Sequence, residues 1–209
     1  MKILHIDSSI THDASISRHL SSEVVKQLTG GGKYSEVIYR DVVKNEIKHL
    51  TADIAAGFRP LPYTVAETAF DKSEQALSQQ LVTEFLDSDI IVIGAPMYNF
   101  SVPSQLKAWL DRIAQPGKTF NYTSSGPIGL AGGKKIIVVS ARGGFYHNTP
   151  LQNMDFQENY LASFFGFLGI SDVGFIRAEG ASKGEEIKQQ GIASAIASIN
   201  DTLKKFNLA

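Results

Sequence analysis

Three short stretches carry the groups able to do chemistry: "SSITHDASIS" (Ser8–Ser17), "PMYNFSV" (Pro96–Val102) and "ARGGFYHN" (Ala141–Asn148). The first is rich in hydroxyls and runs into a helix. Ser9, Ser15 and Ser17, with the free N–H groups around Ile16 to Arg18, form a phosphate cradle built mostly without formal charge. The same serines also suffice as helix caps. The second stretch offers soft or flat apolar surface in Met97, Tyr98 and Phe100, and amide dipoles in Asn99 and the backbone. Such a lining suits a planar heteroaromatic ring with a polar edge, although Met97 and Phe100 fit simple packing equally well. Its loop, Pro96 to Phe100, contains no ionisable acid, base or thiol. In the third stretch, Gly143 and Gly144 allow the backbone to approach a ligand closely, or merely to turn.

Positioning these stretches is the task of a regular alternation. Residues 2–7, 35–40, 89–95, 134–140 and 172–178 read as five strands. The third and fourth are β-branched runs apolar on both faces, as in a parallel sheet covered by helices on each side. Helices fill the gaps. Ile16, Leu20, Val24 and Leu28 mark the first, capped by Ser15 or Ser17, and Leu77, Leu81 and Phe85 mark a second over 66–87. Pro103 suits the first turn of a third, striped by Leu106, Leu110 and Ile113. Phe156, Tyr160, Phe164 and Leu168 mark a fourth, and Ile192, Ile196, Ile199, Leu203 and Phe206 the last. Strict alternation with right-handed crossovers predicts a doubly wound sheet of order 2-1-3-4-5, the flavodoxin-like arrangement. Ligands then bind beyond the carboxyl ends of the strands where the order reverses, so the loops after strands one, three and four should converge. Residues 41–65 read as an irregular insertion and 119–135 as a loop-rich excursion.

Composition removes several alternatives. The 209 residues fit one domain, 1–209, with no linker or internal repeat. A net charge of -1 gives no footprint for nucleic acid or an anionic membrane. With no cysteine, a disulfide, a thiolate zinc site and a cysteine phosphatase are excluded. A phosphoacceptor regulator would want clustered acids where Asp7, Ser8 and Ser9 stand. The N-terminus lacks a signal-peptide pattern and no apolar run is long enough to span a bilayer, so a cytoplasmic location is expected.

"APMYNF" followed by "QLK", the early "SS…S-x-S" loop, "GKK…RGG" and "FLGI" together resemble the FMN-dependent NADH-azoreductases, also described as NAD(P)H:quinone oxidoreductases. The resemblance covers essentially the whole chain. It implies FMN phosphate at Ser9, Ser15, Ile16 and Ser17, and the isoalloxazine ring against Pro96, Met97, Tyr98, Asn99 and Phe100. It places Ala141, Arg142, Gly143 and Gly144 at the pyrimidine end. Ala141 departs from the family's serine, and Arg18 from a neutral amide. Arg18 then either adds charge near the phosphate or points to solvent. The resemblance also implies substrate contacts at Arg59, near the entrance, and at Phe120 and Phe164, as residues of the partner or own subunit that sandwich a flat substrate over the flavin. Helical spacing explains Phe164 equally well as core, whereas Phe120 stands in a polar loop.

The activity implied by the resemblance is that of an FMN-dependent NADH:quinone oxidoreductase that also cleaves aromatic azo compounds to amines by ping-pong hydride transfer. Such a protein would work as a homodimer on small molecules, without metal, nucleic acid or membrane. FMN would be a bound prosthetic group and NADH the electron donor. A flavin carries the redox chemistry, which explains a loop without acids or bases, and no catalytic side chain is assigned. His5 and Asp7 read as structural. The rival is a flavodoxin-type electron carrier without small-molecule turnover, which the near-neutral surface and the aromatic excursion disfavour.

Overall fold

A computed structural model of the chain describes residues 1–32, 36–61 and 69–208. Five parallel strands, β1 (Lys2–Asp7), β2 (Glu36–Asp41), β3 (Ile90–Pro96), β6 (Lys135–Ala141) and β7 (Asp172–Ala178), lie in the order β2-β1-β3-β6-β7. Counting only this sheet, the order is the expected 2-1-3-4-5. The second strand was expected from residue 35 and the second helix from residue 66; both starts lie outside the described residues. The added pair, β4 (Phe120–Thr123) and β5 (Gly126–Gly129), forms a separate antiparallel hairpin. That corrects the loop expected there. Phe120 and Tyr122 alternate with polar residues ahead of a Ser-Ser-Gly turn, which is a strand and its reversal.

Alternation within the strands divides the core in two. Leu4, Ile6, Ile91, Ile93, Ile136 and Val138 face α3 (Ala69–Asp87), α4 (Ser104–Ile113) and α5 (Phe156–Phe167). Ile3, Ile90, Val92, Ile137, Val139 and Ile176 face α1 (Ile16–Gly30) and α6 (Glu185–Lys205). With both faces covered, every residue of β3 is buried. A short helix, α2 (Ala52–Ala55), capped by Thr51, interrupts the predicted irregular insertion.

In α5 the structure turns the helix away from the expected face. Leu161 and Phe165 are fully buried, while of the expected stripe Phe156 is 59% exposed, Tyr160 and Phe164 are half-buried, and Leu168, at the C-cap, is buried as expected. Two apolar stripes run along this helix, and periodicity alone does not choose between them. Gln157 decides it, donating to the carbonyls of Ala95 (3.2 Å) and Pro96 (2.9 Å) from a fully buried position.

Candidate functional site

At the carboxyl edge of the sheet the three turns meet. Ser8 gives both its N–H (3.2 Å) and its hydroxyl (2.8 Å) to the carbonyl of Gly94. The Ile10 N–H donates to the Tyr98 hydroxyl at 3.2 Å, joining the turn after β1 to the turn after β3. The Met97 N–H donates to Ala141 O at 2.8 Å, and the Phe100 ring stands edge-on to Tyr146 at 6.3 Å, which ties in the turn after β6.

The turn after β3 is tighter than its sequence suggests. Tyr98 and Ser101 exchange both backbone hydrogen bonds at 3.0 Å, with φ of +48° at Asn99 and +70° at Phe100. Two successive left-handed residues make a type I′ turn, which usually employs glycine. A phenylalanine there is strained, and strain of this kind gathers at functional sites. The result is to lift Asn99 and Phe100 into solvent while Met97 and Tyr98 stay half-buried beneath them.

In the turn after β1, Ser15 is the N-cap of α1, accepting from the Arg18 N–H at 3.2 Å, and its hydroxyl lies 3.1 Å from that of Ser17. Ser9 pairs with Thr11 at 3.0 Å. The backbone N–H groups of Ile16 and Ser17 find no acceptor among the described residues, as expected of a helix's first turn. Arg18 does not point to solvent. Its guanidinium turns back to Asp41 at 2.6 Å and donates to Ser9 O and the Tyr39 hydroxyl. The bond from Asp41 raises Arg18 above its ordinary value against the cost of burial. Burial opposes ionisation of Asp41, but donors from Arg18, Lys44 and Val43 outweigh it and hold the carboxyl low. Asp7 braces the assembly, accepting from Ser21 at 2.9 Å and Tyr39 at 3.0 Å, with His5 bonded to the same Ser21. Burial first, then Asp7, pushes the Tyr39 phenol up to about 12.

The turn after β6 requires a correction. Arg142 was expected at the ligand, yet its guanidinium is fully buried against Asp155 (2.9 Å), Glu158 and Glu179 (3.2 Å). Its N–H goes to Ala178 O and its carbonyl accepts from Ala181, so no polar backbone group of Arg142 is left for a ligand. An unpaired buried guanidinium costs several kcal/mol, and three acids on neighbouring elements claim it. Gly143 and Gly144 differ. Their carbonyls accept from Ser182 and Gly180, while the N–H groups of Gly143, Gly144 and Phe145 have no acceptor among the described residues.

Beside the turns opens a cleft of about 840 Å³, lined by Ile10, Met97, Tyr98, Asn99, Gln105 and Tyr160 among others. Burial, with Asp111 nearby, pushes the Tyr160 phenol up to about 12, so it stays a neutral donor. The three expected substrate residues do not line this cleft. Arg59 donates to Ala114 O at 3.3 Å, just past the far end of α4, whose 10 residues begin at the site. At about 1.5 Å per residue that is about 15 Å away. Phe120 is 4% exposed, its ring 4.5 Å from Phe167, because the hairpin folds onto the end of α5 where Gly129 meets the Gly169 backbone. Phe164 packs on Phe165 at 5.4 Å, one helical turn beyond Tyr160.

Residues 1–203 match the model of a family described as flavodoxin-like fold. An FMN-dependent NADH:quinone oxidoreductase 2 from Xanthomonas euvesicatoria is 56% identical over 204 residues, covering 98% of this chain and 94% of that protein. An FMN-dependent NADH:quinone oxidoreductase from Ralstonia nicotianae is 51% identical, with 98% of each chain covered. The chain belongs to this flavodoxin-like family of FMN-dependent NADH:quinone oxidoreductases. Among solved structures, an azoreductase from Bacillus anthracis superposes with a TM-score of 0.82 at 28% identity, over 96% of this chain and 99% of that one.

The donor set of this family member suits FMN. Free N–H groups at Ile16 and Ser17 face the demand of a phosphate, and those of Gly143 to Phe145 the demand of a ring edge rich in acceptors. Asp7, Asp41, Asp155, Glu158 and Glu179 are turned inward and paired, whereas Asp13 in the turn after β1 is exposed. Composition and spacing missed the residues that arrange this: Tyr39, Asp41, Gln157, Glu158 and Glu179. One signal was available, since Asp155 three residues before Glu158 spells a helix start, and Asp155 indeed caps α5 through the Glu158 N–H at 3.0 Å.

Proposed function

We propose that this chain is a single-domain, FMN-dependent NADH:quinone oxidoreductase that also reduces aromatic azo compounds, working on small molecules in the cytoplasm as a homodimer. The observation that carries the reading is the meeting of the three turns through Ile10–Tyr98, Met97–Ala141 and Phe100–Tyr146, with two groups of unused backbone donors facing the same edge. Bound FMN supplies two-electron transfer between NADH and an acceptor. Ser9, Ser15, Ile16 and Ser17 hold the phosphate. Met97, Tyr98, Asn99 and Phe100, following Pro96 and Ala141, flank the ring, and Gly143 and Gly144 donate to its edge. The cleft beside Tyr98, Asn99 and Tyr160 takes the flat donor or acceptor and excludes water from one face. Exposed Ile10, Phe100, Leu151, Met154 and Phe156 form an apolar rim around the turns, which supports a partner subunit there.

The test is direct. Purified protein should be yellow, release FMN on denaturation, oxidise NADH with benzoquinone or methyl red, and sediment as a dimer. Colour without turnover would transfer the protein to the electron-carrier class; no flavin affinity would end the redox reading. Asn99→Asp, which sets an anion beside the ring, should weaken FMN or lower its potential.

A further inference from the structure

In the turn after β6 three successive carbonyls are hydrogen-bonded while three successive N–H groups are left without an acceptor among the described residues, and the cause lies behind the turn. The carbonyls of Arg142, Gly143 and Gly144 accept from Ala181 (2.9 Å), Ser182 (3.1 Å) and Gly180 (3.0 Å), all in the turn that leaves β7. One carboxylate oxygen of Glu179 accepts three further donors: the Tyr146 N–H at 2.8 Å, the His147 N–H at 3.1 Å and Arg142 at 3.2 Å. Glu179 is held in turn by its own backbone, since Gly191 of α6 packs so closely that an added Cβ would stand 2.3 Å from Glu179 O. Ser182 fills the space where a Cβ on Gly143 would lie, at 2.7 Å. The carbonyls of Arg142, Gly143 and Gly144 are therefore engaged behind the turn, while the N–H groups of Gly143, Gly144 and Phe145 have no acceptor among the described residues.

We infer that Glu179 is a positioning residue for the flavin: by gathering the Tyr146 and His147 N–H groups and Arg142 behind the turn, it presents Gly143 to Phe145 as a donor-only edge that favours the reduced, more anionic ring. This rests on the flavin reading above. Glu179 touches no cofactor atom. Arg142 offsets only part of its negative charge, being shared with Asp155 and Glu158; Glu179→Gln, which removes the charge and keeps an oxygen for the N–H groups, separates that charge from the geometry of backbone dipoles, which stabilise charge best when fixed beforehand.

Three variants and three readouts test it. Apoprotein is titrated with FMN, and the midpoint potential of the bound flavin is measured beside thermal melting. Glu179→Ala should weaken FMN about tenfold, the counterpart of losing one net hydrogen bond. Because the reduced ring loses more than the oxidised one, the potential should move negative by about 30 mV for each tenfold difference between them. Glu179→Gln keeps an oxygen for both N–H groups and should restore affinity, with no negative shift in potential. A merely structural role predicts a lower melting temperature with parental affinity and potential, and that result overturns the inference. Should Glu179→Ala fail to fold, Glu179→Asp, one methylene short of the turn, carries the same test, and parental affinity and potential there would be equally fatal. If the unmodified apoprotein takes up no FMN, the flavin reading itself has failed; if it binds and all variants match it, only the role of Glu179 has.

Discussion

Gly94, in the middle strand, links packing to the site at one atom. A Cβ there would stand 2.5 Å from Asp7 Oδ1, 3.1 Å from Ser21 Oγ and 3.2 Å from Ser17 O. The first two are side chains, but Asp7 is not free to move, because its oxygens accept from Ser21 and Tyr39. The third is the backbone of α1, so relief requires the helix to lift from the sheet. Overpacking of this kind costs about 1–3 kcal/mol, and disturbing a buried, hydrogen-bonded carboxylate adds about 1–2 kcal/mol. Gly94→Ala should therefore destabilise by about 3 kcal/mol, lowering the melting temperature by about 6–12 °C in a chain of this size. Lifting α1 also displaces the Ile16 and Ser17 N–H groups, so FMN affinity should fall with stability. Thermal melts and fluorescence titration of the apoprotein read the two effects. A double-mutant cycle with Asp7→Ala then isolates the clash: with the carboxylate gone, Gly94→Ala should cost clearly less than in the parent. Parental melting of Gly94→Ala, or strict additivity in the cycle, refutes the proposed clash.

Glu74→Gln should cost about 3–5 kcal/mol, because it strips the carboxylate partner from the fully buried Arg112 while leaving the guanidinium in place; chemical denaturation measures it, and Arg112→Leu in the same background should recover part of the loss. Asp41, held below the usual carboxyl range, stabilises the fold above the unfolded-state pKa near 3.8, and that stability fades as pH falls through its folded value. Asp41→Asn should flatten this acid limb in melts recorded from pH 6 to 2. Tyr39 has the opposite sign: its phenol, raised from 10.0 to about 12, favours the folded state below pH 10 and stops doing so as pH climbs through 12. Tyr39→Phe should remove this alkaline dependence, which melts between pH 8 and 12 would detect.

Local signals carried most of the fold. Runs such as IIVIG and KIIVV declare burial on two faces, and Ser15 declares a helix start; both rest on interactions within a few residues. The type I′ turn at Asn99–Phe100 escaped because its usual mark is Asn-Gly, and here a bulky residue is forced into the left-handed region by what packs around it. Arg142 was a ligand contact only by the family resemblance. Its true partners stand 13, 16 and 37 positions away on other elements, and no spacing rule reaches them. Phe120 was misplaced for a related reason: its neighbours are polar in sequence, but its contact is Phe167 across a hairpin.

The electrostatics of the edge derive from these distant pairings. Asp7, Asp41, Asp155, Glu158 and Glu179 all lie behind the three turns, where full negative charge would oppose electron uptake by a bound ring. Arg18 binds Asp41 and stands 3.8 Å from Asp7, and Arg142 binds Asp155, Glu158 and Glu179, with Arg177 on Glu158 as well. Each arginine is spent on acids rather than on a ligand, and three guanidiniums on five carboxylates leave net negative charge behind the turns, against which the backbone N–H dipoles at the edge must act. Dipoles of this kind are fixed by the sheet and its turns and do not titrate. A site built this way should hold its donor geometry across the whole pH range in which those ion pairs survive. At Arg18 that geometry should fail only at the acid end, as pH falls through the lowered folded value of Asp41.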